Sequence, residues 1–156
     1  MSEKAFQDYY PDDYSYCYGC GRLNPAGLHI KTYWDGDETI SRYTPRPEHM
    51  AVPGYVYGGL IASLIDCNGT GAAAAAIYRD EGRPLDSLPA VRCVTASLHV
   101  DYLKPTPLGP ELEIRGKISE VKGRKVTVDI TVSADGVVTA TGRVVAVQIP
   151  ENFVMG

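Results

Sequence analysis

The chain of 156 residues has no surplus of positive charge: 15 Lys and Arg stand against 19 Asp and Glu, a formal net charge of −4. Binding along a nucleic-acid duplex needs Lys and Arg in excess to neutralise the phosphates. The composition therefore argues against a nucleic-acid partner. A small charged ligand is compatible with it.

Long apolar runs are also missing. The longest uncharged stretch, 50–65, contains Pro53 and three glycines and is shorter than the roughly 20 apolar residues of a membrane-spanning helix. The first residues are acidic where a secretory signal is basic and then apolar. We therefore expect a cytoplasmic protein without a membrane partner.

Cysteine is scarce, with four residues in the whole chain: Cys17, Cys20, Cys67 and Cys93. In a cytoplasmic protein these are expected to be free thiols. Cys17-x-x-Cys20 has the spacing of half a zinc site, but no second CxxC or HxxxH follows, and Cys67 and Cys93 do not lie at a recognised ligand spacing. The sequence thus predicts a turn packed by two thiols, with no metal and no organic cofactor.

What remains is an ordinary globular composition, 44% hydrophobic and 22% charged, of a length that suits one domain. Residues 1–27 are rich in Tyr, Asp, Gly and Pro without periodicity, which predicts an irregular arm with one short helix near Glu3 to Tyr9. The single folded domain is predicted to cover 28–156.

The domain pattern combines strands with one helix. Two short strands, 28–34 and 39–43, are predicted around the turn Asp35-Gly36-Asp37, and a helix from Gly58 to about Arg79 follows. From Val94 the sequence alternates with a period of two, which is typical of a strand. The even-numbered residues from Val94 to Tyr102 are predicted on one face, and the odd-numbered residues from Thr95 to Asp101 on the other. Three further alternating segments follow. The prediction is an α+β fold in which an antiparallel sheet covers the helix.

Two glycines interrupt the predicted helix, Gly69 and Gly71. Each costs about 1 kcal/mol relative to alanine. Such a cost indicates close approach of another backbone or of a ligand.

Asp66 is the one charged residue among the 30 positions from 49 to 78, where the average composition would give about seven. Burying an ionised carboxylate costs several kcal/mol unless it is paired or hydrogen-bonded. Two interpretations stay open: a structural aspartate bonded to a neighbouring element, or a desolvated general base or nucleophile. Thr70 lies one turn further along, near enough to orient the carboxylate or a water molecule.

Gly58 and Gly59 precede the first turn, where N–H groups lack intrahelical partners and the helix dipole is positive. Without side chains there, a substrate carbonyl can approach these donors, although a tight turn also explains a glycine pair. Gly58 is about 12 Å from Asp66 along the helix axis, too far for both to act on one carbonyl within one subunit.

Three segments together resemble the hotdog-fold acyl-CoA thioesterases of the phenylacetate-pathway (PaaI-like) type. They are 53–66 (PGYVYGGLIASLID), 17–21 with 24–28 (CYGCG and NPAGL), and 100–105 (VDYLKP). The resemblance covers about residues 17 to 149. It implies a hotdog fold, a homodimer or homotetramer, and hydrolysis of an acyl-CoA thioester to a free acid and CoA.

The resemblance also implies roles for site residues. Asp66 of one subunit would act as base or nucleophile, and the N–H of Gly58 in the other subunit would polarise the thioester carbonyl. Thr70 and Thr95 match positions that hold the carboxylate or the lytic water. The family usually has His where this chain has Tyr57, and Asn or Gln where it has Ala51.

Further residues are candidates for substrate binding. The basic side chains that suit the phosphates of CoA are Arg92, Lys104 and Arg124, the last in the turn Lys122 to Lys125. Gly59 and His49 are candidates for contact with the acyl-CoA. The rival interpretation is a non-catalytic hotdog module that binds acyl-CoA, because Tyr57 and Ala51 depart from the family pattern. A hotdog dehydratase is a third, which the absence of His from the helix disfavours.

Overall fold

The structure is a computed structural model that describes residues 4–150. It contains two short 3-10 helices (Phe6–Tyr9 and Asp12–Tyr14), β1 (Tyr33–Asp35), β2 (Glu38–Tyr43), α1 (Gly58–Asp80), β3 (Cys93–Tyr102), β4 (Leu112–Lys122), β5 (Lys125–Ala134) and β6 (Val137–Gln148). The predicted order of short strands, one long helix and four long strands is confirmed. So is the α+β class.

The six strands form one antiparallel sheet in the order β1-β2-β4-β5-β6-β3. Helix α1 packs across β3 to β6 and buries its apolar side chains against the inner sheet face, which provides a single core. Strand β3 is left at one edge of the sheet, with its outer side unpaired in the described chain.

Helix α1 runs without proline and carries the strong helix formers Ala72–Ala76 in its second half. It starts after Tyr57, which is extended (φ −61°, ψ 131°). It ends before Gly82, which has a φ of +66° that suits glycine. By length and composition α1 would be able to span a membrane, but 78% of its apolar window is buried inside the fold.

Close approach explains the two glycines inside α1, but the neighbouring atoms belong to side chains and not to the predicted backbone or ligand. A Cβ atom on Gly69 would lie 2.6 Å from the Cβ of Val144 on β6, so only glycine lets helix and sheet meet there. A Cβ atom on Gly71 would lie 3.0 Å from the amide nitrogen of Gln7. The N-terminal arm therefore packs on α1 at this second glycine.

The first strand is shorter than predicted. The segment 28–34 was expected to pair with the sheet, but the N–H groups of Leu28 and Ile30 donate to the carbonyl oxygens of Tyr18 and Gly19 in the arm. Because those backbone groups are engaged by the arm, strand β1 begins only at Tyr33.

The N-terminal arm packs against the domain through polar and aromatic contacts. Gln7 is buried and bonded to Thr32, and the Phe6 ring lies edge-on against Trp34 at 5.5 Å. The helix predicted near Glu3 to Tyr9 is a 3-10 helix at Phe6–Tyr9, and Glu3 lies outside the described residues. The division into an arm (1–27) and a domain (28–156) stays a prediction, and residues 1–3 and 151–156 lie outside the described part.

A β-bulge in β3 corrects the predicted faces of this strand. The register with β6 shifts between Thr95 and Ser97, which leaves Ala96 as an extra residue. Strict alternation would place Thr95 and Tyr102 on opposite faces. Instead both side chains reach α1, Thr95 through Asp66 and Tyr102 through Gly58.

Candidate active site

Asp66 lies half-buried in the middle of α1, at the wall of a cleft of about 420 Å³ formed by α1, the start of β3 and the arm. Its carboxylate accepts a hydrogen bond of 2.5 Å from the hydroxyl of Thr95. Burial raises the pKa of Asp66, the Thr95 bond opposes this, and the nearby Cys17 adds to the increase. A solvent-reachable carboxylate with a raised pKa is a typical general base or nucleophile.

Thr95 is aimed at this carboxylate by the bulge in β3. With the regular alternation that the sequence suggests, a side chain at this position would share a face with Ser97 and His99, away from α1. Thr95 is therefore a partner that periodicity alone does not identify, although the family resemblance does.

Thr70 lines the same cleft one turn beyond Asp66. Its hydroxyl donates to the backbone carbonyl oxygens of Asp66 (3.1 Å) and Cys67 (3.4 Å). The carboxylate of Asp66 is thus hydrogen-bonded by Thr95 and not by Thr70. The Thr70 hydroxyl bonds to backbone carbonyl oxygens of the helix instead.

The start of α1 forms a second polar centre. Within residues 4–150, the N–H groups of Gly58 and Gly59 have no hydrogen-bond partner. Gly58 lines a separate cavity of about 390 Å³ together with Lys104 and Tyr102. The Tyr102 hydroxyl donates to the Gly58 carbonyl oxygen at 2.7 Å, which fixes the backbone there. This contact was not predicted from the sequence, because it joins two residues 44 positions apart that only the packing of β3 against α1 brings together.

Tyr57 immediately precedes these glycines and has 56% of its surface exposed. Its ring folds over Gly59, so a side chain at position 59 would require this exposed ring to move aside. Its N–H donates to the carbonyl oxygen of His49 at 2.8 Å. Gly59 therefore lets the Tyr57 ring lie over the helix start, and it also presents a free N–H donor.

The two centres do not share a cavity within the described chain. Asp66 lies in the first cavity and Gly58 in the second, and no residue lines both. Eight helical residues separate them, about 12 Å along the axis. A single carbonyl cannot contact both groups of one chain.

The candidate basic residues divide between the two ends of the sheet. Arg92 lines the Asp66 cleft with its guanidinium group over the Tyr14 ring at 4.6 Å, and Lys104 lines the Gly58 cavity. Arg124 is exposed in the β4–β5 turn, and its carbonyl oxygen accepts a hydrogen bond from the N–H of Gln148. The N–H of the next residue, Ile149, donates to the carbonyl oxygen of Arg92. Arg92 and Arg124 thus flank the end of β6.

His49 lines neither cavity in the described chain. Its Nδ1 atom accepts from the Arg46 N–H at 2.9 Å, its ring lies against Tyr43, and burial lowers its pKa. A role in substrate binding stays a prediction for His49.

Three thiols meet beside Asp66, which contradicts the prediction of a turn packed by two. The Sγ atoms of Cys17, Cys20 and Cys67 all lie within 4.8 Å of one another. Hydrogen bonds from the other two thiols lower the pKa of Cys17, and the same contacts, together with burial, raise the pKa values of Cys20 and Cys67. Spacing rules missed Cys67 because it is 50 residues from Cys17 and comes from α1 rather than from the arm.

A long helix wrapped by an antiparallel sheet in this strand order is the hotdog fold, and the structure confirms that prediction. Residues 53–141 match the family model of the Thioesterase superfamily, so the chain belongs to that family. A Thioesterase superfamily protein from Shewanella loihica PV-4 is 48% identical, with a TM-score of 0.69 over 90% of this chain and 100% of that one.

Two further relatives show lower sequence identity. Acyl-coenzyme A thioesterase THEM4 of Xenopus laevis is 38% identical over 87 residues, 56% of this chain and 33% of that protein. This chain spans about a third of the length of the curated relatives it matches. The PaaI protein from the phenylacetic acid degradation operon of E. coli, at 17% identity and a TM-score of 0.63 over 79% of this chain and 81% of that one, supports the fold alone.

Proposed function

We propose that the protein is an acyl-CoA thioesterase, which hydrolyses an acyl-CoA thioester to a free acid and CoA. The carboxylate of Asp66, set in a cleft and hydrogen-bonded by Thr95, is the observation that carries this proposal. Family membership and the acyl-coenzyme A thioesterase name of the THEM4 relatives support the reaction type and the CoA thioester.

In the proposed reaction Asp66 acts in its ionised form. It either takes a proton from water as the water attacks the thioester carbonyl, which breaks the C–S bond and releases the acid and CoA, or it attacks that carbonyl itself and expels CoA. In the second route water then cleaves the anhydride formed on Asp66 and releases the acid. The Thr95 hydroxyl donates to one carboxylate oxygen and leaves the other free to face the cleft. Thr95 is therefore a positioning residue for the reacting group.

The developing negative charge on the carbonyl oxygen needs donors that Asp66 cannot supply. The free N–H of Gly58, with Gly59 beside it, is suited to this role at the positive end of α1. Since the two centres of one chain are too far apart, we propose that each active site combines Asp66 of one subunit with Gly58 of another.

A homodimer, or a homotetramer built from dimers, meets this requirement. Strand β3 lies at the sheet edge, and its side chains Val94 and Leu98 are exposed in the single chain. An exposed apolar edge strand readily pairs with a second copy. Arg92, Lys104 and Arg124 are the proposed contacts for the phosphates of CoA.

A panel of acyl-CoAs assayed by release of free thiol tests the activity. We expect hydrolysis of at least one chain-length or aromatic class, abolished by heat denaturation. If every acyl-CoA binds and none is cleaved, the protein is instead a non-catalytic acyl-CoA-binding module.

The hydroxyl of Tyr57 is expected to be auxiliary. Tyr57→Phe should lower kcat by no more than about tenfold, because a single hydrogen bond contributes about 1 kcal/mol and the N–H donors of the helix remain. Tyr57→His should retain turnover. Steady-state kinetics on both variants check this, and complete loss of turnover in folded Tyr57→Phe would make the tyrosine a principal catalytic acid.

Removing the Thr95 hydroxyl should shift the pH profile. In Thr95→Val, burial still raises the pKa of Asp66 and the opposing hydrogen bond is gone, so the pKa rises further. Because the ionised form is active, the acidic limb of kcat/KM should move to higher pH. The profile is measured with a chelator and a thiol reductant present.

Thr70→Val is the matched control for this shift, because its hydroxyl bonds only the helix backbone near Asp66. The other groups in the cleft that ionise or carry charge are common to both variants: Asp13, Arg92, the phenols of Tyr10, Tyr14 and Tyr16, and the thiols of Cys17, Cys20, Cys67 and Cys93. If the acidic limb of kcat/KM lies at the same pH in Thr95→Val and in the wild type, Thr95 does not control the pKa of the Asp66 carboxyl group.

A further inference from the structure

The three sulfur atoms beside Asp66 have the spacing of metal ligands. In a tetrahedral zinc site with Zn–S distances of about 2.3 Å, neighbouring sulfur atoms lie about 3.8 Å apart. The Sγ atoms of Cys17 and Cys67 are 3.9 Å apart, and Cys20 completes a triangle within 4.8 Å. We call Cys17, Cys20 and Cys67 the thiol cluster.

The backbone around the thiol cluster is shaped to bring these sulfurs together. Gly21 donates its N–H to the Cys17 carbonyl at 2.7 Å and closes a tight turn in which a side chain would collide with the backbone of Ser15 and Cys17. Gly19 leaves room for the Cys67 sulfur, which a side chain there would displace. Both glycines are thus required for the three thiols to meet.

We propose that the thiol cluster binds one thiophilic divalent cation of the Zn²⁺ type, with the fourth ligand position open to the cleft. Three thiolates select such a cation over Mg²⁺ or Ca²⁺, which take oxygen ligands. Cys17 is exposed and provides the path of entry. The cation would fasten the arm, through Cys17 and Cys20, to α1, through Cys67, directly beside Asp66.

A disulfide is the competing use of these residues. It would join two of the sulfurs and leave the third thiol unpaired. The geometry of three converging sulfurs therefore favours a cation, and disulfide formation becomes an outcome of the test.

The experiment uses full-length protein that is stripped with chelator under reducing conditions and then titrated with Zn²⁺ by calorimetry. We expect one Zn²⁺ per chain and a higher Tm on binding. Co²⁺ in place of Zn²⁺ should give the visible absorption of a tetrahedral thiolate site. Cys17→Ser should weaken Zn²⁺ affinity by at least about 100-fold, since loss of a group that only hydrogen-bonds to a metal ligand already costs about 10–100-fold.

Cys93→Ser is the matched control, because Cys93 lines the same cleft outside the thiol cluster. It should retain the affinity and the cobalt spectrum of the wild type. Cys17 is at the surface, so Cys17→Ser is expected to fold, and circular dichroism checks this. Cys67→Ser provides the second ligand variant, and either folded variant suffices for the comparison.

Three results would overturn the proposal. They are the absence of stoichiometric Zn²⁺ binding by reduced wild-type protein, equal affinity in wild type and folded ligand variants, and equal loss of affinity in Cys93→Ser. Mass spectrometry of air-oxidised protein without metal identifies any disulfide. A Cys17–Cys67 disulfide together with no Zn²⁺ binding would assign the thiol cluster to redox chemistry instead. None of these readouts depends on thioesterase activity.

Discussion

Asp66→Asn should lower thioester turnover by about 100-fold or more, because the amide can neither take a proton nor attack a carbonyl. Asn has the same shape, and its side-chain oxygen can still accept the bond from Thr95. The affinity for acyl-CoA should therefore survive. The comparison of kcat with the Kd for a non-hydrolysable acyl-CoA analogue separates the two effects.

The same variant should be as stable as the wild type or more stable at neutral pH. Burial raises the pKa of Asp66 above its ordinary value of 3.8, so between the two values the folded protein binds more protons than the unfolded chain. Stability due to this group is therefore lost as pH rises through that window. Asn does not titrate, and the advantage of Asp66→Asn should shrink as pH falls toward about 4.

Urea unfolding at several pH values measures this advantage. Turnover that survives in Asp66→Asn would remove Asp66 from catalysis. A variant that unfolds would instead make Asp66 a structural hydrogen-bonding residue, the alternative that the sequence leaves open.

Much of the fold was predictable because its elements follow simple periods. The proline-free run into Ala72–Ala76 predicts α1, and alternating apolar residues predict the four long strands. The first strand was misjudged because its early residues bond to the arm, a contact between distant segments that local pattern does not carry. The bulge in β3 is not predicted by the sequence pattern either, since Ala96 fits a regular strand equally well.

The candidate site was partly predictable for a different reason. Asp66 stands out because a lone charge in an apolar helix needs an explanation, and this signal is local. Cys67 gives no such signal, because a single cysteine in a helix is an ordinary small apolar residue. Only the packing of the arm against α1 brings it to Cys17 and Cys20. Sites assembled from distant segments are therefore the ones that spacing rules miss.

Gly58→Pro should also lower turnover by about 100-fold or more, because proline removes the N–H donor proposed to stabilise the carbonyl oxygen. Proline is well accepted at the first position of a helix, and the extended conformation of Tyr57 suits a residue before proline. The fold should therefore persist. Gly58→Ala is the matched control, since it adds a Cβ atom 3.4 Å from the Tyr102 ring and keeps the N–H.

Combining the two inactive variants tests whether the site is shared between subunits. Asp66→Asn and Gly58→Pro chains, carrying different tags, are co-expressed, and heterodimers are isolated by two affinity steps. Each heterodimer then has one site with intact Asp66 and Gly58 and one site with both changes. Turnover should recover to about half of the wild-type value per dimer.

If each active site lay within one chain, the heterodimers should be inactive, because every chain carries either Asp66→Asn or Gly58→Pro. Heterodimers as inactive as their parents, or sedimentation of the active wild-type protein as a monomer, would contradict the shared site. Recovery of turnover would show that Asp66 and Gly58 act together across a subunit interface, since the 12 Å or so between them along α1 prevents it within one chain.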